Sequence, residues 1–375
     1  MSPEATTAAP VPTNTIDVSG AVAVPAEDAL ITLLGELLPP TLDTLYIVGS
    51  GSEANDLALR IARYATGGKG VVATRRARHG TTVETAAISP ADGGLAAVAG
   101  WVRLVDAPDG DGSAFAAAVR SAAFELRDSE YGLAGMIVDP TFRSDGVHPS
   151  AGFAEAADAV HDAGGLFIVD ETGVTPGSVG PAIWAFSDTG VTPDIHTFIT
   201  APAGTLALAV VATGSSIDSS PVIDPRDFRG TEATRADAEK SLLSIRSVGV
   251  AGGPSEGVDH PVAGTAVTSD PAAAAAAASA SVGHYLVAGL TLIASAGTAI
   301  TGVRGRGLLI GFDSEQSADL ANALADTGVI VGRAGPATLL IEAPLGFTTA
   351  DADTLLQRTY EAMLSLDASP STSAE

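Results

Sequence analysis

There is no cysteine among the 375 residues. That absence excludes disulfides, thiolate catalysis and cysteine-ligated zinc. Lysine is nearly absent too: Lys69 and Lys240 are the only two, and arginine supplies the other positive charges. Aromatic residues make up 5% of the chain against a hydrophobic fraction of 46%, so any core is built mainly of Ala, Val, Leu and Ile. The six histidines (His79, His148, His161, His196, His260 and His284) show neither an HExxH pattern nor a close ligand cluster, so no metal is expected. No apolar run reaches membrane-spanning length without glycine, proline or polar breaks. Residues 1–15 lack the basic stretch and apolar core of a signal peptide, which makes the cytoplasm the default location.

What is abundant is negative charge. The 44 acidic and 19 basic residues give a formal charge of −25. A surface this acidic repels nucleic acid and anionic membranes, so the expected partner is a small molecule. The length allows one large layered unit or two domains with separate cores.

Residues 1–25 are rich in Ala, Pro, Thr and Ser and read as a disordered arm; 367–375 read as a similar tail. Between them strands and helices alternate. Residues 45–48 form a short apolar strand, followed by the turn Gly49-Ser50-Gly51-Ser52 and a helix over 53–65 with Ser52 as its N-cap. Strands at 70–73, 135–138, 166–169, 197–199 and 206–212, with a helix at 153–163, give a mainly parallel sheet with both faces covered. In such sheets ligands sit at the carboxyl ends of the strands. An alanine-rich helix spans 271–286. Beyond it, 303–312 (VRGRGLLIGF) reads as one strand, 316–324 as a helix, 339–342 as a strand and 350–366 as a last helix. The division is a large α/β domain over 26–286 and a smaller C-terminal α+β domain over 287–366.

Three features at strand ends carry chemistry. The Gly49–Ser52 turn opens a helix, and its N–H groups with the helix dipole favour an anion. Arg78-His79-Gly80-Thr81-Thr82 follows a strand. Asp170-Glu171 closes another, where a carboxylate can pair with a protonated ring nitrogen. Each alone reads as a turn, a cap or an ion pair.

In order and spacing, however, Ser50-Gly51-Ser52-Glu53-Ala54-Asn55, Arg78-His79-Gly80, Asp170-Glu171, Pro193-Asp194-Ile195 and Val303-Arg304-Gly305-Arg306-Gly307-Leu308 resemble the class III, fold-type I aminotransferases. The resemblance runs from about Tyr46 to Leu366. It implies a fold-type I large domain with a smaller α+β domain, a homodimer, and a cleft for pyridoxal phosphate. Ser50, Gly51, Ser52, Thr82, Asp170 and Thr265 would then be its contacts.

The pattern breaks at the chemistry. The Schiff-base lysine of the family falls on Thr200, and a hydroxyl forms no imine. The stacking aromatic falls on Arg78, the glutamine after Asp-Glu gives way to Thr172-Gly173, and the phosphate-binding threonine falls on Ala266 beside Thr265. These losses count against tight binding of pyridoxal or pyridoxamine phosphate, and no cofactor is expected to be covalently held.

The leading reading is a repurposed biosynthetic enzyme that works without pyridoxal phosphate. It would carry out cyclisation, condensation or group transfer with Asp170, Glu171, His79 and Thr200 in the old cleft. An inactive paralogue serving as a partner or scaffold subunit is the alternative. A third reading uses non-covalently bound pyridoxal or pyridoxamine phosphate.

Overall fold

The computed structural model describes residues 25–92, 99–200, 208–217, 271–297 and 299–367. The arm 1–24, the tail 368–375, Thr265, Ala266, Lys240 and His260 lie outside the described residues.

The chain enters through α1 (Pro25–Leu37), β1 (Thr44–Val48), α2 (Gly51–Thr66) and β2 (Gly70–Thr74). A short α3 (Val83–Ala87) leads to β3 (Val102–Val105), α4 (Ser113–Arg127) and β4 (Leu133–Val138). Next come α5 (Phe153–Asp162), β5 (Leu166–Glu171), β6 (Ile195–Ile199) and β7 (Ala209–Thr213). These seven strands form one sheet in the order β1-β7-β6-β5-β4-β2-β3. β7 runs antiparallel to both neighbours, pairing Thr44 with Thr213 on one side and Ile195 with Thr213 on the other. The pairings between β3, β2, β4, β5 and β6 are all parallel.

Both faces of this sheet are covered, which is why its strands read as nearly continuous apolar runs. On one face α2 places Leu57, Ala58 and Ile61 against Val71, Ile137, Ile168 and Ile195. On the other, Leu30 and Leu34 of α1, Val119 of α4 and Val160 of α5 meet Phe167, Val169 and Phe198. Alternation along β5 therefore fixes the site. Ile168 and Asp170 share the α2 face, whereas Phe167, Val169 and Glu171 face the other way.

After α6 (Pro271–Ala296), β8 (Gly302–Arg306), β9 (Leu309–Asp313), β10 (Gly332–Ala334) and β11 (Thr338–Glu342) make an antiparallel sheet in the order β10-β11-β9-β8. It is backed by α7 (Ser317–Asp326) and α8 (Thr349–Asp367). A separate core runs from Leu286 through Ile310, Phe312 and Leu339 to Met363. The mixed α/β architecture with a large mainly parallel sheet and a smaller antiparallel one is the expected one.

Three local expectations are corrected. The 303–312 run is a hairpin of two strands, because Gly307 at φ +53 turns the chain back. The alanine-rich helix continues ten residues past Leu286, because Leu290 and Ile293 bury against the smaller core and outweigh the helix-weakening Gly289. By length and composition its segment Ala274–Ala296 is apolar enough to cross a membrane. Here it is an element of the fold, packed so closely that a Cβ on Gly283 would lie 1.9 Å from the Gly307 carbonyl oxygen. The N-cap of α2 is Ser50, whose hydroxyl accepts from the Glu53 N–H, and not Ser52.

The two sheets are tied by arginines. Arg304 Nε donates to the Gly146 carbonyl while its other nitrogens hold Asp313. Arg306 donates to the carbonyls of Pro140 and Ala185 and pairs with Asp188.

Candidate active site

The site gathers at the carboxyl ends of the large-sheet strands. Asp170 is 3% exposed and is engaged on both oxygens. Its Oδ1 accepts from the Thr172 N–H at 2.8 Å and the Thr172 hydroxyl at 2.6 Å. Its Oδ2 accepts from Asn55 Nδ2 at 2.8 Å and lies 2.7 Å from His79 Nδ1. Burial pushes the Asp170 pKa up, but the hydrogen bonds and charge from His79 and the bonds from Thr172 outweigh it and hold the carboxyl below its ordinary value. An ionised Asp170 accepts a hydrogen bond from His79 Nδ1–H and so fixes the ring tautomer. The other nitrogen, Nε2, is buried with no hydrogen-bond partner among the described residues.

Asn55 is the hinge of this network. Completely buried on α2, it donates to the His79 carbonyl as well as to Asp170, and its Oδ1 accepts from the Thr197 hydroxyl at 2.5 Å. The His79 N–H in turn donates to Ser89 Oγ. Neither Asn55, Thr172 nor Thr197 was assigned a role from the sequence. Asn55 had a usable signal, since it interrupts an apolar helix stripe, and a polar residue there needs partners.

At the turn before α2 the side chains are held by local bonds. Ser50 caps α2, Glu53 accepts from the Gly49 N–H, and Ser52 Oγ accepts from the Thr81 N–H. Thr82 caps α3 and donates to Asp56. Gly80, at φ +141, lies against Ser52 and Thr85 so closely that a Cβ would stand 2.7 Å from both hydroxyls. Arg78 is exposed.

Glu171 lies on the opposite sheet face. Its two oxygens accept from the N–H groups of Ala185 and Phe186 at 2.9 Å, fixing the turn Ala185–Asp188. Beside it, with Nε2 3.6 Å from Glu171 Oε1, His196 is buried among Trp184, Phe186 and Phe198, and neither ring nitrogen has a hydrogen-bond partner among the described residues. Thr200, at the end of β6, donates its hydroxyl to the Leu208 carbonyl at 2.9 Å. The structure thus brings Ser52, His79 and Asp170 together on the α2 face and places Glu171 across the sheet.

At the end of β4, burial raises the Asp139 pKa in spite of bonds from Thr141 and Arg143, and the nearby Asp170 charge adds to the rise. The following loop is strained, with Phe142 at φ +49 and the β-branched Val147 at φ +64. Next to it a cavity of about 250 Å³ is lined by Arg143, Gly173, Thr175, Ser178, Leu308 and Glu342. That is below the roughly 300–1,000 Å³ of drug-sized sites, so it has room only for a small molecule.

Pyridoxal phosphate would need a free acceptor on Asp170 for its ring N–H and an amine for its carbonyl. A carboxylate offers about four lone-pair positions, and four donors at 2.6–2.8 Å already fill those of Asp170. Thr200 offers a hydroxyl, and exposed Lys69 stands before the amino end of β2, against Trp101. Among the described residues, the side chains as arranged do not fit that group.

The profile of the aminotransferase class-III family matches residues 5–223 and 270–363. The chain is similar to alanine–glyoxylate aminotransferase 2 homolog 2 of Arabidopsis thaliana, 29% identical over 345 residues, covering 86% of this chain and 67% of that protein. It is 30% identical over 219 residues to ethanolamine-phosphate phospho-lyase homolog 1 of Caenorhabditis elegans, covering 51% of this chain and only 46% of that one. Among solved structures, a phospholyase from Arthrobacter in complex with phosphoethanolamine superposes with a TM-score of 0.74 at 26% identity, covering 93% of this chain and 82% of that one. A transaminase from Virgibacillus, 19% identical, shares the fold with a TM-score of 0.72, covering 95% of this chain and 82% of that one.

Proposed function

The chain belongs to the class-III aminotransferase family, and from that premise we propose that it is an enzyme working without pyridoxal phosphate, moving protons on a small polar metabolite through His79 and Asp170. The observation that carries this reading is the orphaned His79 Nε2. A buried polar atom without a partner costs about 1–3 kcal/mol. Most buried polar side-chain atoms find partners, and the other orphaned ring nitrogens among the described residues, both of His196, lie on the opposite face of the sheet among Trp184, Phe186 and Phe198, away from Asp170.

The chemistry follows from the pair. Asp170, held ionised, keeps the Nδ1 proton in place and stabilises the imidazolium that forms when Nε2 takes a proton from substrate. The same nitrogen returns that proton to the product. The first turn of α2 at Ser50–Ser52 supplies a positive dipole end for an anionic or carbonyl group of the ligand. Cyclisations, condensations and group transfers that remove a proton at one atom and return it at another use such a shuttle.

The test begins with titration of pyridoxal phosphate and pyridoxamine phosphate into the protein, followed by absorbance and calorimetry. No saturable binding is expected up to millimolar ligand. Saturable binding that disappears in Asp170→Ala would sink the cofactor-free reading. A metabolite screen then identifies turnover, which should fall at least a hundredfold in His79→Ala.

A second reading, a non-catalytic partner subunit, draws on Glu171 and Thr200. Both are spent on backbone groups, Glu171 on the turn Ala185–Asp188 and Thr200 on Leu208. Co-expression with an active class-III aminotransferase decides it: a stable hetero-oligomer favours this reading, and separate homo-oligomers remove it.

A further inference from the structure

We propose that Thr172 closes the Asp170 carboxylate to protonated aromatic ring nitrogens and so sets which ligands the cleft admits. This rests on the cofactor-free reading and names the residue behind it.

Two observations converge on this side chain. The first is the donor count. Thr172 supplies two of the four close donors to Asp170, its N–H and its hydroxyl, both to Oδ1. The other two are locked by further bonds. Asn55 Nδ2 also serves the His79 carbonyl, and the His79 backbone is held by Ser89. The Thr172 hydroxyl is the donor that a single isosteric substitution removes while the rest of the network stands. The Thr197 hydroxyl is no replacement, since it stands 3.5 Å from Asp170 and gives its proton to Asn55.

The second observation is packing. A Cβ built on Gly51, the first residue of α2, would lie 2.7 Å from Thr172 Cβ and 3.0 Å from its Oγ1. One side chain therefore covers both the helix N-terminus that would receive an anionic group and the carboxylate that would receive a ring N–H. A ligand with a phosphate at one end and a basic ring nitrogen at the other meets Thr172 at both. A ligand without the ring nitrogen needs nothing from Asp170, and its affinity does not depend on that hydroxyl.

The experiment measures Kd by calorimetry for two probes, pyridoxal phosphate and benzyl phosphate, the second having the phosphate and a ring without nitrogen. The proteins are wild type, Thr172→Val, Thr172→Ser and the double variant Thr172→Val/Asp170→Asn, each checked for cooperative thermal unfolding. Thr172→Val should bind pyridoxal phosphate at least tenfold tighter than wild type. Thr172→Ser, which keeps the hydroxyl, should match wild type, and the double variant should lose the gain. Benzyl phosphate should show no such change. A folded Thr172→Val that binds pyridoxal phosphate no tighter than wild type overturns the proposal. An equal gain for both probes also overturns it, because the hydroxyl would then be excluding volume and not occupying the carboxylate. Tight, Asp170-dependent binding by wild type would defeat the cofactor-free reading, while the ratio between Thr172→Val and wild type still decides the role of Thr172.

Discussion

Asp170 owes its low pKa to His79 and Thr172, and that debt makes its contribution to folding dependent on pH. Its folded pKa lies below the unfolded value, about 3.9 for an aspartate. The stability it contributes is therefore complete above that unfolded value and is lost as pH falls through the folded one. Asp170→Asn should cost roughly 2–4 kcal/mol at pH 7, because its amide must face the donors of Asn55 and His79. The gap from wild type should narrow below pH 4, read by urea denaturation at each pH. His79 and Asp170 were legible because they sit in motifs at strand ends. Their partners were not. Thr172, just past β5, and Thr197, in the middle of β6, are ordinary threonines until the register of β5 against β6 sets Asp170 opposite Thr197. A single sequence does not show that register.

The β8–β9 hairpin shows the limit of reading one element at a time. The run VRGRGLLIGF is apolar enough to pass for one strand, and its glycines at 305, 307 and 311 look alike. Only Gly307 takes a positive φ, and a Cβ there would lie 2.3 Å from the Ser178 carbonyl oxygen. Gly307→Ala should cost about 2–4 kcal/mol from backbone strain and steric overlap together, visible as a lowered denaturation midpoint. Gly305→Ala is the instructive control, since its own neighbours (Leu309, Ile310 and Val287) are mostly side chains that can shift. The parallel strands, by contrast, were legible from their alternation with helices. The antiparallel course of β7 was not, because a five-residue buried strand carries no mark of direction.

Over the whole molecule, charge and connectivity dominate. A formal charge of −25 means self-repulsion in the compact state, which salt screens with a Debye length of about 10 Å at 0.1 M. The melting temperature should therefore rise between about 10 mM and 300 mM sodium chloride. No rise would mean that the excess carboxylates stand too far apart for their mutual repulsion to affect stability. Connectivity has a consequence in time. β1 is the first of the seven large-sheet strands in the chain, yet its partner in the sheet is β7, the last of them. On a ribosome adding roughly 5–20 residues per second, Leu45 and Tyr46 wait on the order of ten seconds or more for Ala212 and Val211 to appear. Throughout that interval the nascent chain carries an apolar strand without its sheet partner, a surface open to aggregation until β7 is made.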